Sequence, residues 1–291
     1  MMYEPPPERS GRRLRLTRRG RLVLIVTMAA AACAAVLIPL LVVQEEPKPE
    51  KQPEKRRTLL IPEGWRASQV YRAVDKALGK PPGATRKAAA TADLKLPAEA
   101  KGNPEGYLFP ATYPIDPGAT PAGLLAYMVD TAHKRFAADS VSAGAQRSGA
   151  GLYRTVNIAS IVQAEVDAAA DMGKVARVIH NRLKQDMPLQ MDSTLNYALN
   201  RSTLDTTLDD TRLDSPYNTY LRLGLPPTPI GNPGEEALRA ALDPPEGDWM
   251  YFVTVARGDT RFTADYAEHR RNVEEFNARR RSAGATADTD S

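Results

Sequence analysis

Residues 157–170, NIASIVQAEVDAAA, repeat apolar side chains at helical spacing, and the stripe that runs through Ile158, Ile161 and Val162 ends on Glu165. A carboxyl group on the side of a helix that faces the protein loses hydration. That loss favours its protonated form and equips it to donate a proton near neutral pH. The same position also suits a buried, hydrogen-bonded structural acid, and spacing alone leaves both readings open. Asp167 lies about 180° round the same helix, at roughly 100° per residue, and reads as solvated. Further on, Gln190, Asp192, Asn218 and Tyr220 are polar side chains in loops, fit either for substrate contacts or for hydrogen bonds that hold turns. Asn181 suits a cleft or a helix surface. Glu105 and Tyr107 belong to a PEGYLFP turn read as structural. His133, His180 and His269 have neither HExxH spacing nor cysteine neighbours, so no metal site is expected.

Positioning these groups requires a helix pair. The first helix is expected over about 156–169. The second, GKVARVIHNRLKQ, places Val175, Val178, Ile179 and Arg182 on one face, which predicts a packed hairpin. The segments LQMDSTLNYAL and SPYNTYLRLGLPPTPIGNPG come next. The second is dense in Pro, Gly, Asn and Tyr, so it must cross a surface and can form a cleft wall. WMYFVTV and TRFTA, separated by ARGD, predict a β-hairpin, and DYAEHRRNVEEFNARR predicts a closing helix. Before the main domain, TLLIPEGWRASQVYRAVDKALGK reads as strand, turn and helix. Ser68 is the expected cap, Val70, Val74, Ala77 and Leu78 the inner face, and Gly79 the stop. About 40 residues are too few for an independent core, so this unit should pack on the main domain. No internal repeat is evident, and the fold class is α+β.

A chain of 291 residues with 42% hydrophobic content can bury a core of enzyme size. Its net charge of +4 is concentrated before residue 22, where Arg9, Arg12, Arg13, Arg15, Arg18, Arg19 and Arg21 face only Glu4 and Glu8. The body of the chain has no basic stripe interleaved with aromatics, so nucleic acid is not an expected partner. Residues 22–43 carry no charge and match the roughly 20 residues that cross a bilayer. The apolar run exceeds a signal-peptide core and lacks a small-x-small cleavage site, which favours a retained single-pass anchor. The arginines place the N-terminus in the cytoplasm and the remainder outside. Cys33, the sole cysteine, lies in this run, so the exported part has no disulfide. The expected boundaries are a basic cytoplasmic segment 1–21, a transmembrane helix 22–43, a Pro- and charge-rich tether 44–57, the small β-α unit 58–100, the main domain 101–276 and a disordered tail 277–291.

The blocks EGYLFPATY (105–113), NIASIVQAE (157–165), KVARVIHNRL (174–183), LQMDSTLNYAL (189–199), SPYNTYLRLGLPPTPIGNPG (215–234) and YFVTVARGDTRFTADYAEH (251–269) together resemble the YceG-like, or MltG, endolytic murein transglycosylases. The resemblance spans roughly residues 59–276, with the blocks in the family's order. It implies an inner-membrane anchor, a LysM-like small subdomain at 58–100 and a catalytic domain at 101–276 that cuts nascent peptidoglycan glycan strands without a cofactor. It also implies the membrane and peptidoglycan synthases as surroundings, and it puts the catalytic glutamate at Glu165. The family often carries a second glutamate where this chain has Gln163, a side chain unable to transfer protons. AADMGK (169–174) is likewise less acidic than the corresponding family segment, and the β-α unit is shorter than a full LysM-like domain. A lytic transglycosylase closes the muramic acid 6-hydroxyl onto C1, so one glutamate serves as acid and then as base. Two other classes fit less of the pattern: an inactive, membrane-tethered glycan-binding scaffold, and a glycoside hydrolase pairing Glu165 with Asp192 or another acid.

Overall fold

The computed structural model describes residues 17–20, 22–23, 25–31, 57–137, 151–202 and 206–287. The chain forms two compact units, Met1–Lys55 and Arg56–Ser291. In the first, residues 18–20, 22–23 and 25–31 are helical. Much of the apolar run expected to cross a membrane, 24 and 32–43, lies outside the described residues, as do residues 44–56 of the expected tether. Among the described residues no helix is long and apolar enough to cross a membrane.

The second unit is α+β. Strand β1 (Thr58–Leu60) leads into α1 (Ala67–Leu78) and α2 (Ala84–Thr91), then β2 (Thr112–Pro114) and α3 (Pro121–Phe136). β1 and β2 pair antiparallel with Leu59 opposite Tyr113, so the small β-α unit shares its sheet with a strand beyond residue 100. α1 buries Val70 and Val74 and stops at Gly79, whose φ of 61° is the left-handed conformation that glycine adopts without strain. Its start differs from the expected Ser68 cap: the helix begins at Ala67. The Ala67 amide is taken by the Glu105 carboxylate at 2.8 Å and the Arg66 amide by Gln69 Oε1 at 2.9 Å. A distant buried acid thus supplies the cap, which local sequence cannot signal.

The helix pair is α4 (Leu152–Glu165) and α5 (Ala169–Lys184), succeeded by α6 (Asp192–Ala198) and α7 (Glu235–Leu242). Every residue of α4 from Thr155 to Val162 is buried, so this is a central helix packed against α5, α6 and α7. It ends at Glu165, four residues before the expected end, and Val166 leaves it in an extended conformation. AADMGK (169–174) is the first part of α5. Val175, Val178, Ile179 and Arg182 are all buried on α5, as their spacing predicts. Strands β3 (Tyr251–Ala256) and β4 (Asp259–Thr263) form the expected hairpin, covered by α8 (Tyr266–Ala287). α8 continues into the segment expected to be disordered. Arg270 with Glu274 and Glu275 with Arg279, at i,i+4 spacing, support an exposed helix without an apolar stripe. Residues 288–291 lie outside the described residues.

Candidate functional site

The site forms where α4 runs out of core. Its last turn brings Glu165 to the edge of the buried interior, half-buried and still reached by solvent. Ser193, in the first turn of α6, donates its hydroxyl at 2.6 Å and its amide at 3.3 Å to the same carboxylate oxygen, Oε1. The other oxygen, Oε2, makes no hydrogen bond among the described residues. Burial pushes the Glu165 carboxyl above the usual carboxylate range, and the nearby Asp192 charge adds to this. The Ser193 bonds and the Arg182 charge act in the opposite direction. The carbonyl end of α4 further disfavours negative charge there.

Asp192 stands at the start of α6, and its Oδ1 accepts the Tyr220 hydroxyl at 2.5 Å. Burial, then Asp192, raises the Tyr220 phenol well above its ordinary value, so it remains a donor. Tyr220 is in turn positioned by Asn218. The Asn218 side chain donates to the carbonyls of Thr211 and Leu213 and accepts the Tyr220 amide at 3.0 Å. Its amide is therefore committed to the loop. Gln190 lies at φ 51°, with its amide on the Thr219 carbonyl at 3.0 Å and its side chain exposed two residues before Asp192. Asn181, on α5, donates to the carbonyls of Gly247 and Trp249 and braces the entry to β3. The fold thus gathers Glu165, Asp192 and Tyr220. Asn218 acts through Tyr220, and Asn181 binds the hairpin segment.

Two groups at the site were not singled out for chemistry in the sequence. Ser193 is one: a serine inside DSTL carries no signal until α6 is set against the end of α4. Arg182 is the other. It is 6% exposed, donates to the carbonyls of Met250 at 2.7 Å and Leu189 at 2.5 Å, and lies over the Tyr251 ring at 5.4 Å. It has no salt bridge among the described residues, so its charge acts on Glu165 and on Tyr220 across the site. Its position on an otherwise apolar face was the available signal, because an arginine is seldom buried without a reason.

The wall of the site is stitched to α4 by polar residues on that buried helix. Asn157 donates to the Pro226 carbonyl at 2.7 Å, Ser160 Oγ accepts the Ile230 amide at 3.0 Å and Gln163 Oε1 accepts the Gly234 amide at 2.9 Å. Gln163 therefore holds the start of α7. A second buried acid, Glu105, ties the wall to α1. Its Oε1 accepts from the Ala67 amide and, at 3.3 Å, from Asn232, while its Oε2 accepts the Tyr197 hydroxyl at 3.0 Å.

The model of the YceG-like family matches residues 28–275 of this chain. An endolytic murein transglycosylase of Bacillus subtilis (strain 168) is 35% identical over 173 residues, covering 59% of this chain and 48% of that protein. The enzyme of the same name from Streptococcus pneumoniae serotype 2 (strain D39) is 33% identical over 177 residues, 59% of this chain and 32% of that protein. The chain thus spans about half the length, or less, of the curated relatives it matches. The crystal structure of a YceG-like protein from Listeria monocytogenes superimposes with a TM-score of 0.66 at 29% identity, covering 74% of this chain and 75% of that one.

Proposed function

Because this chain belongs to the YceG-like family, we propose that it is an endolytic lytic transglycosylase that cuts peptidoglycan glycan strands between N-acetylmuramic acid and N-acetylglucosamine. The observation that carries the reading is the state of Glu165: one oxygen is pinned by Ser193, the other is open to a substrate, and burial favours the protonated carboxyl. Glu165 gives its proton to the leaving glycosidic oxygen as the C1–O bond breaks. The carboxylate that results lies within the field of Arg182, which moderates its charge. It then takes the proton of the muramic acid 6-hydroxyl as O6 bonds to C1, leaving a 1,6-anhydro end and a protonated Glu165. One group serves both half-reactions, and no water is consumed.

Asp192 beside Glu165 favours a second reading, hydrolysis with Asp192 engaging a water or the sugar. Mass analysis of the products from uncrosslinked glycan strands and the full chain separates the readings. Anhydro ends are expected, reducing ends would assign hydrolysis, and uncut strands would leave a binding scaffold.

The arginine cluster before residue 22 and the apolar run 22–43 support a single-pass anchor in the cytoplasmic membrane, with the enzyme outside near the peptidoglycan synthases. Tethering raises the local concentration at nascent strands and suits termination of their elongation. Protease added to spheroplasts is expected to digest the large unit. Protection of that unit together with cleavage of a tag at Met1 would reverse the topology.

A further inference from the structure

Ser193, which bonds Glu165, also lines a cleft of about 430 Å³, within the roughly 300–1,000 Å³ typical of ligand sites. One wall comes from α1 and the turn before it, with Trp65 and Gln69. The other comes from the end of α4 and the start of α6, with Gln163 and Ser193, and Ala164 and Ile230 add apolar surface. Trp65 is half-buried, and its backbone is clamped, since its carbonyl accepts from the Asn232 amide at 2.9 Å and from Asn232 Nδ2 at 2.7 Å. The Cα from which the indole projects is thus fixed at the cleft.

The two glutamines are oriented without ambiguity. Each places its carbonyl oxygen on a backbone N–H, Gln69 on Arg66 and Gln163 on Gly234, both at 2.9 Å. Their NH2 groups are therefore the ends left over, two donors with no partner among the described residues.

An aromatic plate flanked by amide donors matches the chemistry of an N-acetylhexosamine ring. Such a ring offers a face of C–H bonds to stack on the indole and an acetamido carbonyl to accept from an amide. We propose that this cleft is a sugar subsite, in which Trp65 stacks one N-acetylhexosamine of the strand and Gln69 and Gln163 hydrogen-bond its acetamido or hydroxyl oxygens. The proposal rests on the transglycosylase reading for its place along the strand. It makes α1 and the turn before it part of the substrate channel that leads past Ser193 to Glu165. Anchoring of the Trp65 backbone and of both glutamine side chains reduces the ordering cost of binding.

The test uses the full chain in detergent. Binding of the β-1,4-linked N-acetylglucosamine tetramer is measured by calorimetry in a Glu165→Gln background, which prevents turnover. Added to that background, Trp65→Ala and Gln69→Glu are each expected to weaken binding about tenfold. Gln69→Glu keeps an oxygen on the Arg66 amide, so α1 stays capped while the donor is lost. If Trp65→Ala fails to fold, Trp65→Phe replaces it, with a smaller loss expected. In the active enzyme the same changes should raise KM on glycan strands and leave kcat within about threefold. Unchanged tetramer binding together with unchanged KM in the cleft variants would overturn the subsite, even if strands are cut to anhydro ends as expected. If strands are never cut yet tetramer binding is lost in these variants, the subsite stands and the transglycosylase reading falls.

Discussion

Glu165 and Glu105 are both carboxyls whose pKa is raised by burial, yet they are built in opposite ways. Glu105 is 3% exposed and engages both oxygens, with the Ala67 amide, Asn232 and Tyr197 as donors and the Arg66 charge nearby. It joins α1, α6 and the Pro-rich wall. Glu165 is half-buried, with one donor residue on one oxygen and no hydrogen bond on the other among the described residues. Desolvation alone therefore does not distinguish a catalyst from a structural acid. The distinction lies in how much hydrogen-bonding capacity the fold has already consumed, because a carboxyl whose two oxygens are both taken by fixed donors has none left to present to a substrate.

The strongest test of this contrast is Glu165→Gln, which keeps the shape and the Ser193 contact and removes the titratable proton. Cleavage is expected to fall by at least about 10²–10⁴-fold with the melting temperature nearly unchanged. Anhydro ends formed at near wild-type rate by a folded variant would remove Glu165 from the mechanism.

Next in size is Arg182→Met. It deprives the site of its buried cation and leaves the Leu189 and Met250 carbonyls without their donor, for a loss of about 2–6 kcal/mol in denaturant unfolding, roughly 1–3 kcal/mol for each stranded carbonyl. Removing the cation also raises the Glu165 pKa. The acid then stays protonated to higher pH, and the descending alkaline limb of kcat/KM should move upward. A stable variant with an unmoved limb would break the assigned coupling.

Glu105 should show itself through stability. Burial pushes its pKa up to about 7 from an ordinary 4.5, so the folded state holds the proton more tightly than the unfolded chain. Its contribution is complete below about pH 4.5 and is lost as pH rises towards 7, by up to about 3 kcal/mol. Glu105→Gln mimics the protonated form, since its amide can donate to Tyr197 while its oxygen accepts from Ala67. Subtracting the two unfolding profiles over pH 4–8 should reveal that slope, and parallel profiles would contradict it.

The smallest effect is expected at Asp167, exposed two residues beyond Glu165. Asp167→Asn should change turnover by less than about threefold, which initial rates would check, because proximity in sequence without burial or an assigned contact confers no role.

The helix pair, the β-hairpin and the buried faces of α1 and α5 were legible in the sequence because side-chain burial tracks local periodicity, and Glu165 stood out as a carboxyl on an apolar stripe. The family blocks implied a role for it that spacing alone left open. The end of α4 at Glu165 and the length of α8 were less legible, since helix ends depend on partners for the terminal groups. What no local pattern encodes is which distant polar groups meet. Residues 182 and 250, 165 and 193, 192 and 220, and the quartet 67, 105, 197 and 232 become neighbours only when long loops close. The hydrogen bonds that separate a carboxyl engaged on both oxygens from one engaged on a single oxygen are made by that closure, and so the contrast between Glu105 and Glu165 is a property of the tertiary structure.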